Sequence, residues 1–99
     1  MSRREFIIRK ITINGKSISR VLVDDHVRKH KDVTDDLILD LVKQLDGTDS
    51  LPDDVKENFH YFVNLLESGG KQYRIVWLFE KGKLYLGVVT IYRDNRRKK

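Results

Sequence analysis

The sequence predicts an α+β domain, with one main amphipathic helix over residues 33–46 packed on one face of an antiparallel sheet of four to five strands. Three observations lead there. Asn14-Gly15 separates two β-branched runs, an apolar stripe of helical period begins at Val33, and two long apolar runs flank a turn at Glu80–Lys83.

The first run, Phe6–Ile13, is rich in isoleucine, and the second, Ser17–Val23, alternates apolar and polar residues. Joined by Asn-Gly, the strongest short hairpin signal, they predict an N-terminal β-hairpin. Asp24 and Asp25 end the second strand, and His26-Val-Arg-Lys-His30 is a polar stretch long enough for one helical turn. Such a turn puts His26 and His30 on one face at i, i+4.

Val33, Leu37, Ile38, Leu41, Val42 and Leu45 then form a one-sided stripe at the helical period. Asp32 or Thr34 can cap its start, Asp35 and Asp36 suit the positive end of the helix dipole, Lys43 suits the negative end, and Gly47 stops it. Residues 48–58 are polar, contain Pro52, and read as a connection. Beyond them two readings compete. Val55, Phe59, Phe62, Val63 and Leu66 fit a helical stripe, with Ser50 and Asp53 as a capping pair, while Phe59–Val63 fits a strand by its aromatic and β-branched content. A strand from about Asn58 is preferred, because Glu67–Lys71 then becomes a hairpin loop into Tyr73–Phe79. A last hairpin pairs Tyr73–Phe79 with Leu84–Tyr92. Trp77 and Tyr85 are assigned to core and cross-strand packing.

At 99 residues and 11.7 kDa the chain has material for one domain, assigned to residues 1–93, followed by a basic tail at 94–99. Its 39% hydrophobic and 35% charged residues describe a globular composition with a modest core. Without cysteine there is no disulfide framework, thiolate nucleophile or Cys-ligated metal, and three histidines leave little for a metal site, so neither metal nor cofactor is expected. No apolar run approaches the roughly 18 residues of a membrane-spanning helix, and Arg9 and Lys10 interrupt the first apolar stretch, so a cytoplasmic protein with no membrane partner is expected. Walker, dinucleotide-binding, zincin and nucleophile-elbow motifs are all missing.

Charge is segregated along the chain. Residues 1–31 carry nine Lys/Arg against three Asp/Glu, a net +6. Residues 32–67 carry two against ten, net −8, and residues 68–99 nine against two, net +7. If the fold sets the two basic ends side by side, they make one positive surface suited to phosphate backbones. The tail, with Arg96 and Arg97, is either a nucleic-acid arm or a solubilising end.

A small basic protein can cleave RNA without metal, because the 2′-hydroxyl is an internal nucleophile that needs a base, an acid for the leaving oxygen, and cations on the phosphate. His26 and His30 are the candidate base and acid. Arg74, a cation within a strand, is a candidate phosphate ligand, with an ion pair to Glu80 or to the acidic helix as the alternative. Thr90, Tyr92 and Arg93 end the last strand, where hydroxyl, phenol and guanidinium can orient and neutralise a phosphate. His60, within an aromatic run, reads as an ordinary sheet residue.

The order of these segments, His26-Val-Arg-Lys-His-Lys-Asp32, Val33-Thr-Asp-Asp-Leu-Ile-Leu39, Tyr73-Arg-Ile-Val-Trp77 and Leu86-Gly-Val-Val-Thr-Ile-Tyr92, resembles the small cytotoxic ribonucleases of the barnase, EndoU, colicin and RelE fold, especially RelE-like toxins. The likeness covers about residues 24–93. It implies a metal-free endoribonuclease, the toxin of a toxin–antitoxin pair, with RNA (mRNA or tRNA) and an acidic antitoxin protein as partners. It also implies roles: His26 as acid/base, His30 as its helper, Arg74 on phosphate, and Thr90, Tyr92 and Arg93 lining the site, with Tyr92 counted among the catalytic residues. The chain departs from the family in its N-terminal hairpin, where the family is helical, and in its acidic middle. Two other readings stand beside this one: a non-catalytic nucleic-acid-binding module using the basic surface and tail, and a protein-interaction module using the acidic helix.

Overall fold

The structure is a computed structural model that describes residues 3–24, 27 and 33–94. Its elements run β1 (Arg3–Ile13), β2 (Lys16–Asp24), α1 (Asp35–Gln44), β3 (Asp54–Lys56), β4 (Phe59–Ser68), β5 (Lys71–Glu80) and β6 (Leu86–Arg93). They form one six-stranded sheet in the order β1-β2-β6-β5-β4-β3 and one helix, so the α+β class stands with more strands than the four or five expected. The additional strand is β3, a three-residue edge strand inside what reads from sequence as a connection; all three of its residues are exposed, so no burial pattern marks it.

The two-residue turns set the register next to them, which in β1–β2 holds from Ile13↔Lys16 to Ile11↔Ile18 before the pairing shifts. Asn14 and Gly15 adopt φ of 51° and 76°, the left-handed pair that a two-residue hairpin turn requires. Gly69 and Gly70, at 60° and 79°, do the same between β4 and β5, whose pairing runs unbroken from Phe59↔Glu80 to Ser68↔Lys71. The strand reading of residues 59–68 is therefore the one the fold adopts. All neighbouring strands are antiparallel except β2 and β6, which pair in parallel through Val21↔Leu86, Leu22↔Gly87 and Val23↔Val88. A parallel pair needs a crossover, which α1 and β3–β5 supply.

The helix is shorter than the 33–46 expected. Thr34 is extended at φ −104° and ψ 167°, and its hydroxyl accepts the Leu37 N–H at 3.2 Å, so the cap sits one residue inside the apolar stripe. Val33 and Leu45 are buried but lie outside the helix: the stripe marks what is covered, and the caps mark where the helix stops. Thr34→Ala is expected to cost about 1 kcal/mol, read as a shifted urea midpoint with unchanged slope; an unmoved midpoint would contradict the cap.

The core lies between α1 and one face of the sheet. Ile38, Leu41, Val42 and Leu45 meet Ile11, Ile13, Val21, Val23, Ile75, Trp77 and Ile91. Trp77 is fully buried, stacks on Phe62 at 4.2 Å, meets Phe79 edge-on at 5.2 Å, and donates its indole N–H to Asn64 Oδ1 at 2.8 Å. Polar contacts tie the helix to both sides of the sheet. Arg4 of β1 pairs with Asp35, while Ser68 of β4 donates to Asp40 at 2.6 Å and Gln44 donates to the Glu67 carbonyl at 2.8 Å. Contacts from strands so far apart in the sheet mean that it curls around the helix. Along β5, Tyr73, Ile75, Trp77 and Phe79 point into the core and are buried, while Arg74, Val76, Leu78 and Glu80 occupy the outer face.

Candidate functional site

The parallel pairing decides which residues share an end of the sheet. β2 ends at Asp24, and β6, running the same way beside it, continues through Thr90, Ile91, Tyr92 and Arg93. The chain leaves β2 there and reaches the cap of α1 at Thr34, held near by the Arg4–Asp35 ion pair; Arg4 lies opposite Val23 in the β1–β2 ladder. Within that connection Val27 is fully buried in the core. His26 and His30 lie outside the described residues, as do Arg96 and Arg97.

The other sequence-predicted residues do gather at this end. Thr90 faces Val76 and Tyr92 faces Arg74 across the β5–β6 ladder, so Thr90, Tyr92 and Arg74 share the outer face. Thr90 is half-buried and Tyr92 exposed. Arg93 pairs with Tyr73 and falls on the opposite face by strand alternation, also exposed. The three outer-face residues present a hydroxyl, a phenol and a guanidinium.

Arg74 has a partner that neither sequence alternative named. Its guanidinium donates to the Asp94 carboxylate at 3.0 Å, rather than to Glu80 or the helix, with side chains 26% and 7% exposed. Asp94 in turn donates its backbone N–H to the Gln72 carbonyl at 2.9 Å, which clamps the chain just past β6 to β5. Asp94 was missed from sequence because the pairing depends on the β5–β6 register. A guanidinium carries five N–H donors, so the Asp94 contact leaves donors for a phosphate while reducing the net charge offered to it.

The two basic stretches of sequence are adjacent, since β2 and β6 are neighbours. Several of their cations are nevertheless paired: Arg4 with Asp35, Arg20 with Glu5 at 2.5 Å, and Arg74 with Asp94. Tyr85 donates to Glu80 at 2.8 Å, consistent with a packing role, and Gly87 leaves the room that Leu78 and Tyr85 fill, since a Cβ there would stand 2.9 Å from Leu78 Cδ1. Among the described residues, no group of three or more His, Asp or Glu side chains is placed to share a metal ion, and no helix is long and apolar enough to cross a membrane. The chain matches no protein-family model, no curated protein and no solved structure.

Proposed function

We propose that the chain is a metal-free endoribonuclease, the toxin of a toxin–antitoxin pair, acting at the end of the sheet where β2 and β6 finish. The observation that carries this reading is their parallel pairing, which ends the strand leading into His26 beside the strand bearing Thr90 and Tyr92. In the proposed reaction a histidine takes the proton of a ribose 2′-hydroxyl, the 2′-oxygen attacks the adjacent phosphorus, and the 5′-oxygen leaves with a proton from an acid. The products are a 2′,3′-cyclic phosphate and a 5′-hydroxyl. His26 is the acid/base and His30 its helper. Tyr92 and Thr90 orient the phosphate, and Arg74 with the tail bearing Arg96 and Arg97 offsets its charge, while Arg93 stands on the other face of the strand end. An acidic antitoxin segment would compete with RNA for the same cations.

Incubating the purified protein in EDTA with total tRNA and a long mRNA tests the reading. Fragments ending in cyclic phosphate are expected, and intact RNA would overturn it. The Arg74–Asp94 pair favours a second reading, a nucleic-acid-binding module without catalysis, because it ties up a cation at the site. That module would bind RNA with log-linear salt dependence, leave it intact, and lose most binding when residues 94–99 are removed.

Asp94→Asn separates a phosphate-contacting Arg74 from a structural one. If Arg74 reaches RNA, releasing it from Asp94 steepens the dependence of log affinity on log salt by about 0.7, the increment for one more phosphate contact on a single strand. An unchanged slope in filter binding would leave Arg74 as a clamp on the β6 end.

A further inference from the structure

The opposite end of the sheet carries a second constellation that the ribonuclease reading does not use. Three turns meet there: Asn14-Gly15 between β1 and β2, Glu57-Asn58 between β3 and β4, and Lys81-Gly82 after β5. Lys16, Glu57, Asn58, His60, Lys81 and the rim of Phe79 line a cavity of about 330 Å³ between them, within the size range of small-ligand sites.

The turns are fixed rather than loose. Lys81 donates its N–H to the Asn58 carbonyl at 2.7 Å, joining the second turn to the third. The Asn14 side chain accepts from the Ser50 N–H at 2.7 Å and donates to the Ser50 carbonyl at 3.1 Å, holding the first. Lys16 lays its ammonium over the Phe79 ring, 4.9 Å from the centroid, and that ring is set by Trp77 and Phe62 in the core. His60 stands opposite Phe79 in the β4–β5 ladder.

Unlike Arg4, Arg20 and Arg74 elsewhere in the sheet, neither Lys16 nor Lys81 has a carboxylate partner among the described residues. Two ammonium groups and an imidazole around one cavity suit a dianion. Glu57 is the exception in charge. It holds a left-handed φ of 55°, a conformation in which glycine or asparagine would be less strained. A carboxylate beside an anion site is repelled by the anion, yet it can accept hydrogen bonds from hydroxyl groups of the molecule that carries the anion.

We propose that this end binds a terminal phosphate monoester of a ribonucleotide, with the phosphate on Lys16, Lys81 and His60 and the ribose hydroxyls on Glu57 and Asn58. The site is distinct from the β2–β6 end and stands or falls independently of RNA cleavage.

Amide chemical-shift titration of the full chain tests it, with inorganic phosphate, adenosine 5′-monophosphate, and RNA trimers bearing either a 5′-phosphate or a 5′-hydroxyl as probes. Saturable shifts are expected at residues 16, 57–60 and 79–82 with the monophosphate. Lys81→Met, a change on an exposed side chain, should weaken that binding about tenfold, as expected for loss of one charged hydrogen bond. Glu57→Gln should weaken the nucleotide, through loss of the ribose contact, while inorganic phosphate binds no more weakly than before, because a repelling charge is removed. Binding of the 5′-phosphorylated trimer as well would identify an RNA terminus as the source, and binding of the monophosphate alone a free nucleotide. Shifts centred elsewhere, no saturation, or undiminished affinity in Lys81→Met would overturn the proposal.

Discussion

His26→Ala is expected to lower cleavage of RNA by about 10²- to 10⁴-fold, the range supplied by a positioned acid or base. His30→Ala is expected to cost less, since His30 assists rather than transfers the proton itself. The parallel pairing of β2 and β6 is the structural footing for this expectation, because it ends the strand leading into His26 beside the strand that carries Thr90 and Tyr92. Single-turnover cleavage in EDTA, with the unfolding midpoint of each variant measured alongside, separates lost chemistry from lost structure. If both variants cleave as fast as the parent protein, the histidine assignment is wrong.

Trp77→Ala is expected to destabilise the fold by about 3–5 kcal/mol, the range for removing a large aromatic side chain from a packed core. Few side chains here have as many specific contacts. Its ring stacks on Phe62 and meets Phe79, and its N–H satisfies Asn64, which would lose its partner as well. Trp77→Phe keeps much of the apolar contact but leaves the Asn64 carbonyl oxygen without that donor, so an intermediate loss is expected. Urea unfolding followed by circular dichroism measures both. A loss below about 1 kcal/mol for Trp77→Ala would mean that the core is not organised around this ring.

Much of the fold was legible because local rules and burial agree along most of the chain. Asn14-Gly15 fixes the first hairpin, and Tyr73, Ile75, Trp77 and Phe79 alternate into the core as a half-buried strand should. In β4 the two readings separated by period. Phe62, Asn64 and Leu66 turn toward the core side while Tyr61, Val63 and Leu65 turn out, a two-residue alternation that the helical stripe only mimicked. The helix ends were less legible, because burial extends past the caps to Val33 and Leu45. β3 was not legible at all, since Asp54, Val55 and Lys56 are held by one edge pairing and bury nothing.

The candidate site was legible by residue type and illegible by geometry. Thr90 and Tyr92 could be placed on one face from strand period alone, and the structure keeps them there opposite Val76 and Arg74. The parallel contact between β2 and β6 joins residues 65 apart, as in Val21↔Leu86, and no local signal encodes it. The Arg74–Asp94 pair depends instead on the β5–β6 register, which shifts between Val76 and Trp77 and so cannot be counted outward from the turn. The three-turn end was invisible for a related reason: Lys16, His60 and Lys81 look like unrelated surface residues until the sheet order brings their turns together.

The central claim is that RNA is engaged where β2 and β6 end, and the most direct measurement is an amide chemical-shift titration with a short 2′-O-methyl RNA carrying a 5′-hydroxyl. Blocking the 2′-oxygen prevents cleavage, and omitting the 5′-phosphate keeps the three-turn cavity out of the readout. Saturable shifts are expected at residues 24–34 and 90–94, with Arg74 following them. Shifts confined to the opposite end of the sheet or to the outward face of α1, or no shifts at all, would contradict the account.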